Sequence, residues 1–307
     1  MTITQTILAA TDLSAPARHA VERAFRLAAH TGNELHVLHA LALDVLDISL
    51  REMLGGDTSA VKAALEDDAR QRLRELADNP AYNCGRVAHA RVVTGNPLTV
   101  IAAEADALDA ELVVLGARGE SFLRHALLGA TAARLLRKSS RRPVLVVKQA
   151  AHEDYRCVLV SVDFSPASLR AIHAAQRWAP GADLVLLHSL ELPYEGKLKF
   201  AGVDEQVIHQ YVRTGIETRI TELHELAAAA GLAPTDYSAR VVHGNDPSQQ
   251  IIAMEQEYDA DLTVVGKHGS HVVEELLLGS VTKHVLAESQ GDVLVIANRR
   301  AGGVEIP

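Results

Sequence analysis

Two glycine-rich segments, one in each half of the chain, have the residue types and the spacing that hold a phosphate. Each has the pattern Gly-x2-Gly-x9-Gly, which starts at Gly116 in the first half and at Gly266 in the second. In both segments a short run rich in Leu and Val ends at the first glycine, and a helical pattern follows the last one. A strand, a glycine loop and a helix N-terminus in this order bring backbone N–H groups to an anion with no Cβ in the way. The repeated spacing therefore predicts a phosphate-binding loop in each half.

The two segments differ at the residue after the third glycine. In the second half this residue is Ser280, whose hydroxyl can donate to a phosphate, whereas in the first half Gly129 is followed by Ala130. Thr131 comes one position late, although Arg118 adds a cation to the first loop. A hydrogen bond to a charged group is worth about 1.5–3 kcal/mol, so its loss predicts phosphate binding weaker by about tenfold to a hundredfold. We therefore expect unequal sites, with the stronger one in the second half.

The elements that must position these loops are also repeated. Asp12 and Asp163 follow the first buried-strand pattern of each half, and His39 and His188 end the second. Strand patterns that are almost continuous in Val, Ile and Leu alternate with helical patterns along both halves. This alternation indicates an α/β fold with parallel sheets that are covered by helices on both faces.

The repeat predicts two domains, at 1–150 with the altered glycine segment and at 154–299 with the intact one. A chain of 307 residues with 48% apolar content can bury two cores of this size. The linker between the halves is short and is not rich in Gly or Ser. The least regular segments, 41–57 and 191–203, follow the second strand of each half, where ligand-binding loops are common.

Composition disfavours several classes of function. The formal net charge of −9 and the aromatic content of 4% disfavour binding to nucleic acid or to anionic membranes. No apolar run is long enough to span a bilayer, and the first residues do not have a signal-peptide pattern. The cysteines, Cys84 and Cys157, are isolated, which favours a reducing compartment. A cytoplasmic protein is the expectation.

Taken together, these residues resemble the universal stress protein family. The resemblance covers both halves and includes the glycine pattern, the strand-end aspartates and histidines, and a Gly-Asn-Pro turn at Gly95. It is strongest in the second half, where the context Ala-Asp-Leu-x-Val-x-Gly ends at Gly266. The resemblance implies two tandem, doubly wound parallel sheets of five strands in the order 3-2-1-4-5, as in adenine nucleotide alpha hydrolases. It also implies that the halves pair as an intramolecular pseudo-dimer, while a homodimer and a protein partner of unknown identity stay open.

The resemblance further implies that the chain binds ATP or another adenine nucleotide. Mg²⁺ is expected on the phosphates rather than in a site built by the protein, because magnesium keeps several of its waters and binds few carboxylates. The adenine would lie near Asp163 and the backbone at Ser189, at the point where the winding of the sheet reverses. The nucleotide-binding residues expected in the second half are Asp163, Ser189, Gly266, His268, Gly269, Gly279, Ser280, Val281 and Thr282. The corresponding weaker set in the first half is Asp12, Ala40, Gly116, Arg118, Gly119, Gly129 and Thr131.

The sequence favours an ATP-binding regulatory protein of the stress response, and it leaves two alternatives open. The first alternative is a scaffold that works without nucleotide, or a protein that binds another small ligand or a metal. The second is a slow ATPase. No catalytic residues are predicted, because the chain has neither a Gly-x4-Gly-Lys-Ser/Thr loop nor a Gly-x-Ser-x-Gly elbow. Each glycine segment taken alone would be a simple turn and helix cap, and the histidines at strand ends are expected to be hydrogen-bonded structural residues.

Overall fold

The computed structural model describes residues 5–43, 58–117, 128–138, 142–192, 194–267 and 278–297, with the side chain of Lys199 left aside. The chain divides into two compact units, Met1–Asp154 and Tyr155–Pro307. Of the segments that the sequence leaves irregular, 44–57 lies outside the described residues. The other one, 191–203, contains a short helix at Glu195–Phe200 and is therefore more regular than expected.

The first unit is a parallel sheet with helices. Its strands are β1 (Thr6–Thr11), β2 (Glu34–Leu41), β3 (Ala88–Thr94), β4 (Leu112–Gly116) and β5 (Val144–Val147). The described helices are α1 (Ala15–Thr31), α2 (Ser59–Ala77), α3 (Pro97–Ala107) and α4 (Ala130–Lys138). All pairings between neighbouring strands are parallel, and they place the strands in the order β3-β2-β1-β4-β5.

The second unit repeats this arrangement. Its strands are β6 (Cys157–Ser161), β7 (Asp183–Leu190), β8 (Tyr237–His243), β9 (Leu262–Gly266) and β10 (Asp292–Ile296). Its described helices are α5 (Pro166–Trp178), α6 (Glu195–Phe200), α7 (Glu205–Ala229), α8 (Pro247–Glu257) and α9 (Ser280–Glu288). Parallel pairings place the strands in the order β8-β7-β6-β9-β10. The α/β class predicted from the alternating patterns is thus confirmed.

The central strands owe their form to near-continuous runs of apolar residues. Every residue of β1, the central strand of the first unit, is buried, as expected for a strand that has helices against both faces. The helix after the first strand of each unit starts at a serine cap followed by proline. The side chain of Ser14 accepts from the backbone N–H of Ala17 at 3.3 Å, and that of Ser165 accepts from Ala167 at the same distance. No described helix is both long and apolar enough to cross a membrane.

Candidate functional site

The winding of the second sheet reverses between β6 and β9, which are direct neighbours. Val158 pairs with Leu262 and Val160 with Val264, so the carboxyl ends of the two strands lie side by side. The chain leaves the sheet on opposite sides at this point, and that leaves a crevice in which open α/β sheets bind ligands. Asp163 follows β6, and Gly266 ends β9. The structure therefore brings these two predicted residues to the same edge of the sheet.

The Asp163 carboxylate is held in one orientation by the start of α5. Its Oδ1 accepts a hydrogen bond from the Ser168 hydroxyl at 2.8 Å and from the backbone N–H of Ser165 at 3.0 Å. The Ser168 hydroxyl in turn accepts from the backbone N–H of Asp163 at 3.1 Å. Among the described residues no hydrogen bond reaches Oδ2 of Asp163. A half-buried carboxylate is thus positioned with one oxygen left for a donor such as an amino or hydroxyl group.

Phe164, which sequence reasoning missed, directly follows Asp163 and lies between two other side chains. Its backbone is left-handed, with φ 59°, a conformation that costs a residue other than glycine about 1 kcal/mol or more. The Phe164 ring lies 4.7 Å from the His188 ring, and the Arg219 guanidinium lies 5.4 Å from the Phe164 ring centre. Leu13 occupies the same position in the first unit with φ 64°, so the strained turn belongs to both units.

His188 is a hydrogen-bonded structural residue, as the sequence predicts. Its Nδ1 lies 2.8 Å from the carbonyl oxygen of Val162, and in the first unit Nδ1 of His39 lies 2.9 Å from the carbonyl oxygen of Thr11. The pKa of His188 lies below its ordinary value of 6.5, chiefly because burial disfavours the charged ring. The neutral ring therefore links β7 to the turn that carries Asp163.

The two ends of the second glycine loop are fastened to each other. The backbone N–H of Lys267 donates to Ile296 of β10 at 2.8 Å, and the N–H of Gly279 donates to the Lys267 carbonyl at 3.0 Å. The Thr282 hydroxyl donates to the carbonyl of Gly266 at 2.7 Å. Since Thr282 is buried and its proton is engaged, its hydroxyl can donate to a phosphate only if this bond breaks. Thr282 therefore holds the loop ends together in this structure.

In the part of the chain that the structure describes, no side chain caps the N-terminus of α9. Gly279 is the N-cap residue, with φ −56° and ψ 151°, and makes no side-chain cap hydrogen bond. Ser280 is exposed and Val281 is half-buried. The first N–H groups of an α-helix have no acceptor within the helix, and together with the helix dipole they favour an anion. The described part of the glycine segment can thus receive a phosphate, while His268 and Gly269 lie outside the described residues.

A polar pair lies at the carboxyl end of β7. The hydroxyl of Ser189 donates to Oε1 of Gln250, which belongs to α8. In the first unit the aligned positions are Ala40 and Val100, both apolar. Ser189 is thus a polar residue of the predicted edge, and its link to Gln250 is a feature that no sequence motif indicates.

The first unit has the same backbone with other side chains at this edge. Asp12 is exposed, and its Oδ1 accepts from the backbone N–H of Ser14 at 3.0 Å. Ala17 takes the place of Ser168, so the serine hydroxyl that orients the second carboxylate has no counterpart. The Asp12 carboxylate is therefore less enclosed than that of Asp163.

The first glycine loop shows the same contrast. The backbone N–H of Gly129 donates to the Ala117 carbonyl at 2.8 Å, as its counterpart does in the second unit. Ala132 replaces Thr282, so no hydroxyl is present to bond the carbonyl of Gly116 at the end of β4. Thr131 lies in the first turn of α4, and Arg118 and Gly119 lie outside the described residues.

Three histidines of the second unit, which could serve as metal ligands, have separate partners. Nε2 of His243 lies 2.7 Å from Glu195, and Nε2 of His284 lies 2.8 Å from Glu288. His188 is engaged with the backbone of Val162. Among the described residues the group with metal-ligand geometry is a different one, in the first unit.

The fold defines a class: a doubly wound α/β domain with a helix N-terminus next to its switch point, present twice in one chain. The profile of the universal stress protein family matches residues 4–148 and 154–297. The chain belongs to the universal stress protein family, and it contains two tandem copies of the domain. The resemblance and the tandem repeat inferred from the sequence are confirmed.

Similar proteins agree with this assignment. A universal stress protein of Mycolicibacterium smegmatis is 30% identical over 309 residues, which cover 95% of this chain and 97% of that protein. A universal stress protein of Mycobacterium tuberculosis and another of Mycobacterium bovis are each 30% identical over 203 residues. These matches cover 61% of this chain and 62% of each relative.

The solved structures bear on the fold. A universal stress protein from Archaeoglobus fulgidus superposes with a TM-score of 0.66 at 22% identity, covering 96% of this chain and 97% of that one. A protein from Pseudomonas aeruginosa described as a putative universal stress protein has a TM-score of 0.59 at 21% identity, covering 96% of this chain and 94% of that one.

Proposed function

We propose that this protein is an adenine-nucleotide-binding regulator of the stress response that holds ATP, or a related nucleotide, mainly in its second unit. The observation that carries the proposal is the position of the N-terminus of α9, at Gly279–Thr282. This helix follows β9, and β9 lies next to β6, the strand that leads to Asp163. N–H groups that can donate to an anion and a positioned carboxylate meet at one switch point. They match the phosphate end and the nucleoside end of a nucleotide, respectively.

The residues of the second unit fit such a ligand chemically. The N–H groups at Ser280 and Val281 would receive phosphate oxygens, and the exposed Ser280 hydroxyl would add a donor. Asp163, held through Oδ1, would accept a hydrogen bond at Oδ2 from the nucleoside. Ser189 would contribute at the end of β7. Mg²⁺ would neutralise the phosphates while it keeps several of its waters.

The contrast between the units supports unequal occupancy. In the second unit the hydroxyls of Ser168, Ser189 and Thr282 each donate a hydrogen bond at the site. The first unit has alanine at all three aligned positions. Because a preorganised site loses less entropy when it binds a ligand, the second unit would bind more tightly.

The regulatory role would follow from binding itself. A nucleotide seated on α9 would add its charge to the edge of the sheet and would cover the N-terminus of that helix. A protein partner that contacts this edge would then distinguish the loaded from the empty chain. We infer a cytoplasmic setting from the composition described above.

The test combines nucleotide analysis with a charge placed at the helix start. Protein that is purified without dialysis is denatured, and the released adenine nucleotide is identified by chromatography. ATP with Mg²⁺ is then titrated calorimetrically into the full chain and into Ser280→Asp. An acidic residue in the first turn stabilises a helix by about 0.3–1 kcal/mol, whereas its charge repels phosphate. The variant should therefore be at least as stable as the natural chain and yet bind ATP at least tenfold more weakly.

Ala130→Asp is the matched control, because Ala130 is the first residue of α4 and is exposed like Ser280. This variant should leave the tight binding phase unchanged. Equal losses from both variants would contradict the unequal sites. A natural chain that releases no nucleotide and does not bind ATP would contradict the proposal as a whole and would favour a scaffold or a carrier of another ligand.

A further inference from the structure

Two histidines and a glutamate form a compact group on the sheet of the first unit. His36 of β2 lies directly opposite His89 of β3 in the parallel register. Glu34 precedes His36 by two residues, so both side chains are on the same face of β2. One nitrogen from each ring and one oxygen of Glu34 all lie within 4.8 Å of one another.

The group is close to a coordination geometry. The two rings have their centres 4.7 Å apart and are tilted by 30°, and Nε2 of His36 lies 4.0 Å from the Glu34 carboxylate. Bonds of about 2.0–2.2 Å from Zn²⁺ to nitrogen and oxygen bring tetrahedral ligand atoms to about 3.4 Å from one another. Glu34 and His89 are exposed, so changes of rotamer can supply the difference of about an ångström.

The charges around the group are compatible with a cation. Arg91 is on β3 two residues after His89, but its guanidinium is paired with Glu104 of α3 at 2.8 Å. Glu34 and Glu104 place negative charge near His36, whereas Arg91 acts in the opposite direction.

We propose that Glu34, His36 and His89 form a binding site for a divalent transition metal ion such as Zn²⁺ or Cu²⁺, with water completing the coordination. Two imidazoles and one carboxylate select these ions over Mg²⁺, which prefers oxygen ligands. The site is independent of the nucleotide: its residues belong to the first unit, at strands β2 and β3, and its test requires no nucleotide.

The second unit is a natural control for this inference. The same register there places Val185 opposite Ser238, and Asp183 occupies the position of Glu34. A single carboxylate without imidazoles is not a transition-metal site. The ligand set is thus a property of the first unit and not of the fold.

The experiment is a titration of the full chain, freed of metal by a chelator that is then removed, with Zn²⁺ alone. Calorimetry gives the stoichiometry, and Co²⁺ in place of Zn²⁺ gives a visible absorption that reports ligation. His89→Ser and His36→Val introduce the residues that the second unit has at these positions. We expect each variant to bind one equivalent of Zn²⁺ less than the natural chain and to lose the corresponding Co²⁺ absorption. His173→Ser, at an exposed histidine of α5, should leave both unchanged.

His89 is exposed, so His89→Ser is expected to fold, and circular dichroism checks this. Zn²⁺ that remains bound to this variant belongs to other histidines, and the loss is measured against that background. The proposal is overturned if the natural chain binds no Zn²⁺. It is equally overturned if His89→Ser retains the full stoichiometry and affinity of the natural chain.

Discussion

The bond between the Thr282 hydroxyl and the Gly266 carbonyl offers a direct test of how the second glycine loop is held. Thr282→Val removes the hydroxyl and keeps the shape of the side chain. The bond is 2.7 Å long, and Thr282 is 3% exposed, so water does not readily replace the lost partner. A buried hydrogen bond contributes about 0.5–1.5 kcal/mol, and a carbonyl left without a partner costs about 1–3 kcal/mol. We expect the free energy of unfolding of the second unit to fall by about 1–3 kcal/mol.

The assay uses the single tryptophan of the chain. Trp178 is buried in α5 of the second unit, so its fluorescence during urea unfolding reports on that unit. The affinity for ATP with Mg²⁺ is measured in parallel. If the nucleotide binds only when the loop ends are held together, a loss of about 1.4 kcal/mol in the stability of that arrangement would weaken ATP binding about tenfold.

Thr282→Ser is the control, because it keeps the donor and loses only a methyl group. It should retain most of the affinity. If Thr282→Ser and Thr282→Val weaken ATP binding equally, packing rather than the hydrogen bond holds the loop, and the reasoning is refuted. Unchanged affinity in both variants would show that the nucleotide does not depend on this fastening.

Three further predictions concern the stability of the second unit, measured by Trp178 fluorescence in urea. The pKa of His188 in the folded chain is below its ordinary value of 6.5, so as the pH falls the unfolded chain takes up this proton before the folded chain does. The stabilisation from the neutral ring is therefore present above pH 6.5 and decreases below it. His188→Asn should make the stability of the second unit less dependent on pH in this acid range. Tyr155→Phe removes the 2.7 Å hydrogen bond to the buried Asp292 carboxylate and should cost about 1.5–3 kcal/mol; an unchanged urea midpoint would contradict this. Gly291→Ala places a Cβ 2.8 Å from the Ala260 carbonyl oxygen and should cost about 1–3 kcal/mol; a neutral effect would mean that the backbone yields freely.

Much of the fold could be predicted from the sequence because its signals are local. Runs of Val, Ile and Leu, serine–proline helix starts and glycine loops all act within a few residues. Because the two halves repeat, the same residue types recur at equivalent strand ends, as with Asp12 and Asp163 or His39 and His188, and this recurrence supported the assignment of the strands. The short helix α6 was missed because its segment has no clear apolar periodicity.

The candidate site was predictable only in part. The glycine motif drew attention to Thr282 as a phosphate ligand, whereas the structure engages its hydroxyl with Gly266. The contacts of Phe164 with His188 and Arg219 join residues far apart in the chain, and no motif indicates them. The packing of helices against strands determines such contacts, and a pattern in the linear sequence does not encode that packing.

The sequence by itself determined the tandem α/β architecture and the family, because residue order and periodicity specify strands, turns and helix starts. The edge of the sheet at which a ligand would bind is a prediction from the same patterns. Only the tertiary structure decided which side chains meet there. The strand register places His36 against His89, and the packing of α5 brings Ser168 to Asp163. Hydrogen bonds and coordination depend on distances of a few ångströms, and these distances exist only after the chain has folded.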